Sequence, residues 1–127
     1  MINKPNPYDV YKQNQVVTSR PEDLTLMLYN GGVKFLLQAK QAMQQQDLPK
    51  AHTLIIRAQD IINELLITLN PDYEITNQLA PLYEYMKARL VEANLKKDIT
   101  YVEEVEGMFK ELRDTWSQAM KSLSGRQ

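Results

Sequence analysis

The chain has no cysteine. Disulfides, thiolate nucleophiles and sulfur-ligated metals are therefore excluded, and the composition fits a reducing compartment. Histidine occurs once, at His52. A single histidine away from any nucleophile-elbow motif builds no Ser-His-Asp or Cys-His triad, and without a Glu-x-x-His pair there is no di-metal bundle site. Neither charge sign dominates: 15 basic and 16 acidic residues leave a net charge of −1. Such a balance carries no electrostatic footprint for nucleic acid or an anionic membrane. No apolar run approaches the roughly 20 residues of a membrane span. The opening residues, MINKPNPYDVYKQNQ, have no signal-peptide apolar core. No glycine-rich phosphate loop is present. Together these absences predict a cytoplasmic, non-enzymatic domain with no cofactor, no metal, no nucleic-acid partner and no membrane insertion.

Glycine is also scarce, with four in 127 residues, and the six prolines fall at positions 5, 7, 21, 49, 71 and 81. Between them run long stretches of helix-compatible Leu, Ile, Ala, Gln, Glu and Lys. A first long helix is predicted from Ser19, where SRPE offers a capping hydroxyl and a carboxylate three residues on at Glu22. Asp47 is the expected cap of a second helix, carrying the stripe Ala51, Leu54, Ile55, Ala58, Ile61, Ile62, Leu65, Leu66 and Leu69, which Asn70-Pro71-Asp72 stops. A third begins between Ile75 and Ala80, with Asn77 as a candidate cap. A fourth runs from Asp98 to about Leu123 with Val102, Val105, Phe109, Leu112, Trp116, Met120 and Leu123 inward. Long helices joined by short connections predict an all-α, antiparallel up-down four-helix bundle over residues 19–123. Ahead of it, residues 1–18 form a mobile segment, with a short helix from Asn6-Pro7 to about Gln13 and an extended VVTS. Residues 124–127 are a tail.

Asn30-Gly31-Gly32 interrupts the first helix with what is ordinarily a hairpin signal. Yet the phase of Leu24 and Leu28 persists in Phe35, Ala39 and Ala42 beyond it, which a hairpin has no reason to preserve. The glycines are therefore helix interior, each costing about 1 kcal/mol relative to alanine. Gly32 is expected on the core side, allowing close helix packing. Gly31 lies nearer the boundary, where it shapes a groove wall.

The helices carry more apolar residues than their main stripes require. Leu26, Tyr29, Val33 and Leu37 form a second stripe on the first helix; Ile56 and Ile67 lie off the stripe of the second; Ala88, Val91 and Leu95 lie behind that of the third. Either these fill the bundle's edges and sit under the N-terminal segment, or they form a groove for another chain's amphipathic helix. The acidic pairs Asp60/Glu64 and Glu103/Glu106 are expected to be solvated surface charges, and His52 a surface or boundary residue.

Four stretches in order, VVTSRPEDLTLMLYNGGVKFL, RAQDIINEL, LYEYMKARLVEANLKKD and ELRDTW, resemble the FliS family, the flagellin-specific export chaperones of bacterial flagellar assembly. The resemblance runs from about Tyr8 to Trp116. In the family the first stretch commonly carries a single glycine, matching Gly31, followed by a small residue; Pro81 is not a feature the resemblance leads one to expect. It implies a helical bundle that binds the disordered C-terminal segment of flagellin in apolar grooves, prevents premature polymerisation and presents the subunit to the flagellar export apparatus. It also implies that Tyr8 and Tyr11 belong to an N-terminal segment able to cover part of that surface. The chaperone is then a monomer or weak dimer. The competing reading is a self-associating structural bundle that uses the surplus stripes as its own interface.

Overall fold

The computed structural model of the protein describes residues 21–125. Ser19, Tyr8, Tyr11 and the rest of the N-terminal segment lie outside them. Four helices follow one another: α1 (Pro21–Gln44), α2 (Leu48–Thr68), α3 (Thr76–Lys96) and α4 (Ile99–Gly125). Helix α4 thus continues past Leu123, whose side chain is exposed and not inward as its stripe predicts, because it lies in the last turn of the helix. No strand occurs among the described residues. Helix α1 packs on α2 and α4, α2 on α3, and α3 on α4, so the helices form a closed ring in chain order. Contacts at both ends of α1 set its direction against α4. Lys40, near its C-terminus, meets Glu103, while the carbonyl of Glu22, in its first turn, meets Trp116.

The connections follow local chemistry. Asp47 caps α2 by accepting from Lys50 N–H at 3.2 Å, with proline in the first turn. Asp98 accepts from both the N–H and the hydroxyl of Thr100 at the start of α4, which holds its carboxyl below the usual carboxylate range. Helix α1 ends in a Schellman arrangement: Asp47 N–H bonds Ala42 O and Gln46 N–H bonds Met43 O. Gln46 takes the left-handed position usually given to glycine, as Lys97 does after α3. The start of α3 at Thr76 falls within the expected Ile75–Ala80 range, but its cap differs from the candidate. Ile75 is its N-cap and offers no side-chain acceptor, while Asn77 lies inside the first turn. Backbone turn bonds, such as Asn77 N–H to Glu74 O, stand where a cap would be.

Helix α1 runs unbroken through Asn30-Gly31-Gly32. The reason is contact. A β-carbon on Gly32 would stand 2.6–2.7 Å from three ring atoms of Phe109 of α4. One on Gly31 would stand 2.8 Å from the Cδ1 of Ile61 of α2. Each glycine admits a neighbouring helix's side chain against bare backbone, so α1 approaches both flanking helices closely. Gly31 packs against Ile61 at the α1–α2 seam and stays half-buried there, whereas Gly32 is buried.

Buried apolar residues from all four helices make one core, including Leu36, Ile62, Met86 and Val105. A polar link crosses its diagonal: the Tyr29 and Tyr83 hydroxyls hydrogen-bond at 2.5 Å, joining α1 to α3. Trp116 meets Tyr29 edge-on, with centroids 6.4 Å apart, and donates its indole N–H to Glu22 O at 2.9 Å. Burial pushes both phenols above their ordinary range. Tyr29→Phe leaves the Tyr83 hydroxyl buried without its partner and is expected to cost about 1–3 kcal/mol. The double Tyr29→Phe, Tyr83→Phe change removes both groups and is expected to recover most of that loss. Urea unfolding of the two variants checks it.

Candidate functional site

The second stripe of α1 divides. Tyr29 and Val33 belong to the core, at 1% and 6% exposure, and this corrects their expected place on an outer stripe. Leu26 is half-buried and Leu37 is 40% exposed. The cause is the breadth of the buried arc. A helix with close neighbours on two sides buries more than the centre of its stripe, and Tyr29 and Val33 fall on the flank shared with α4. Leu26 and Leu37, about three turns apart, share a face farther out on the same flank.

Along this α1–α4 side runs a charged border. Lys40 reaches Glu103 at 3.4 Å and Glu106 at 4.0 Å; Lys110, one turn beyond Glu106, reaches it at 2.9 Å. Glu106 is buried, unlike the solvated carboxylate expected of it, because two ammonium groups converge on it. Gly107, beside it, has open space where a β-carbon would be.

Exposed apolar residues also lie on α2 and α3. Ile61 turns toward α1, so Ile56, about 140° round the helix from it, turns outward. On α3, Arg89 turns toward Glu104 of α4, leaving Val91 and Leu95 on the flank toward α2. Ile56, Val91 and Leu95 are all exposed, and Ile67, three turns beyond Ile56, is 77% exposed. Of the residues expected to meet a partner, Ile56 and Ile67 of α2 and Val91 and Leu95 of α3 are thus all exposed, on two helices that pack against each other.

The α3–α4 seam is polar instead, and nothing in the helical stripes pointed to it. Glu104 accepts from Tyr85 Oη and Arg89 Nε, both at 2.6 Å, and these bonds hold its carboxyl below the usual range. The Arg89 guanidinium lies 4.1 Å from the centroid of Tyr101, and Lys96 donates to the Tyr101 hydroxyl at 3.2 Å. The signal lay in LYEYMKAR, where Tyr85 and Arg89 stand one turn apart, but their partner is on another helix.

No catalytic or metal-binding group is assembled among the described residues. His52 is exposed, and among the described residues no group of three or more His, Cys, Asp or Glu could hold a metal ion. No helix among them is long and apolar enough to cross a membrane. An open depression of about 550 Å³ at one end of the bundle, lined by Met43, Leu48, Lys96, Lys97 and neighbouring residues, contains one carboxylate, Asp98, already engaged in capping α4.

The molecule is thus a helical bundle with exposed apolar faces on its exterior and no assembled catalytic group among the described residues. Comparison with known proteins makes this specific. The family model described as "Flagellar protein FliS" matches residues 4–123. The flagellar secretion chaperone FliS of Bacillus subtilis (strain 168) is 46% identical over 117 residues, covering 92% of this chain and 88% of that protein. That of Escherichia coli (strain K12) is 32% identical, covering 88% and 85%. A solved structure, described as a flagellar chaperone from bacteria, superposes with a TM-score of 0.76 at 20% identity, over 91% of this chain and 95% of that one; it speaks for the fold. The chain belongs to the FliS family of flagellar secretion chaperones.

Proposed function

We propose that this protein is a cytoplasmic export chaperone that binds the disordered C-terminal segment of flagellin, keeps it from polymerising early and aids its delivery to the flagellar export apparatus. The observation that carries the reading is apolar surface left over once the core is complete: Leu37, Ile56, Ile67, Val91 and Leu95 stay exposed on a bundle whose interior is already filled. Half-buried Leu26 extends the α1 part of that surface. Tyr29, Val33 and Gly31 serve it from beneath, by fixing how α1 packs, and Tyr8 and Tyr11 act from the N-terminal segment. Ordering a disordered tail costs roughly 2–5 kcal/mol or more, and a preformed apolar surface offsets that. Binding alone withdraws the tail from self-assembly, so no nucleotide is needed.

Calorimetric titration of the full chain with a synthetic flagellin C-terminal peptide tests the proposal. Binding is expected with a negative heat-capacity change. Its affinity is expected to change by less than about threefold between low and moderate salt, since apolar contacts dominate. A steep loss of affinity with salt contradicts the apolar mode. A stable dimer in sedimentation that ignores the peptide establishes instead that a second copy of the chain covers these faces.

A further inference from the structure

Helix α3 is unevenly anchored. Its buried residues, Tyr83, Met86, Leu90 and Ala93, all follow Pro81. The turn ahead of the proline, Thr76–Ala80, buries none of its residues fully; Leu79 is partly buried against the core. That turn has no side-chain cap. Pro81 carries no N–H to give to the Asn77 carbonyl, and its ring crowds that carbonyl. At the first position of a helix, by contrast, proline is favoured, because the missing N–H would have no partner there anyway. A helix begun at Pro81 therefore keeps every buried residue of α3 and loses its worst-placed one from the interior.

We propose that residues 70–80 are a latch: α3 alternates between the start at Thr76 and a second start at Pro81, with the turn between them unwound. The closed form is held by bonds at exposed residues. Thr76 Oγ1 donates to Asn70 O at 2.5 Å, and the N–H groups of Gln78 and Leu79 both reach Ile75 O at 3.0 Å. Water replaces such bonds readily, which places the segment at the low end of local stability. Opening withdraws Leu79 from the core, against which Leu66 and Leu69 at the end of α2 are also partly buried. Apolar surface then widens at the end of the bundle where Ile67, Tyr73 and Ile75 are already exposed. One consequence rests on the proposed client binding: a flagellin tail seated on Leu66 and Leu69 holds the latch open.

Hydrogen exchange followed by mass spectrometry on the full chain, wild type and Pro81→Ala, tests the latch. In the wild type, the amides of Leu79, Ala80 and Leu82 are expected to exchange at least about tenfold faster than those of Met86–Asn94. Pro81→Ala supplies the missing N–H and is expected to slow the first group about tenfold while leaving the second within about threefold. Equal protection of the two groups in the wild type, or no selective slowing in Pro81→Ala, overturns the proposal. With the flagellin peptide bound, exchange at Leu79–Leu82 is expected to rise. Calorimetric binding without that rise refutes the client's hold on the latch, whereas absence of binding refutes the client reading and leaves the Pro81→Ala result to decide the latch alone.

Discussion

Gly32→Leu is expected to lower the unfolding free energy by about 3 kcal/mol or more, a large share of the roughly 5–15 kcal/mol typical of a domain. The opposing terms can be weighed. Leaving glycine gains about 1 kcal/mol of helix propensity. Against it, even the first added carbon enters the space of the Phe109 ring, at 2.6–2.7 Å from three of its atoms. That ring is fully buried and packed on all sides, so it has nowhere to go without moving α4. Overpacking wins. Gly31→Ala offers the control one residue away. There the obstacle is the far end of the flexible Ile61 side chain, and a small rotation relieves it. The expected result is unchanged stability, or a gain of up to about 1 kcal/mol. Thermal unfolding of the two variants, side by side, measures the difference; equal effects would show that the glycines are not there for contact.

Ile56→Asp combined with Val91→Asp is expected to weaken binding of the flagellin peptide at least about tenfold, which corresponds to about 1.4 kcal/mol, while the protein stays folded. Both side chains are exposed, and exposed substitutions ordinarily change stability by about 0.5 kcal/mol or less. Val33→Asp is expected to behave in the opposite way. At 6% exposure it places an unpaired carboxylate in the core, with a loss of about 4 kcal/mol or more. An Ile56→Asp, Val91→Asp variant that binds the peptide as the parent does would remove the α2–α3 face from the client's path. Circular dichroism and calorimetry on the same samples separate folding from binding.

Much of this architecture was legible in the chain because local signals and tertiary contacts agree. The stripe from Ala51 to Leu65 is the buried face of α2, and Asp47 and Asp98 cap the helices they precede. Where the reading of a side chain's surroundings failed, the deciding partner lay on another helix. Tyr29 and Val33 look peripheral by phase, and only the close approach of α4 brings them inside. Glu106 pairs with Lys110 on its own helix, which resembles a solvated pair; Lys40 of α1 completes its burial. Asn77 failed for a local reason: it has the right chemistry for a cap, but backbone turn bonds put the cap two residues earlier, at Ile75. The polar α3–α4 seam is assembled from residues that are individually ordinary. Periodicity reports which way a side chain points, and it carries no record of what waits there.

The tryptophan tie at the mouth of α1 has a practical corollary. The chain holds one indole, and it rests against Tyr29 while bonded to the backbone of Glu22. Its fluorescence therefore samples a single place, the point where the leading residues join the bundle. Any event that pries that junction apart announces itself in the emission of the unlabelled molecule, so the protein comes with its own gauge for the fate of its front end.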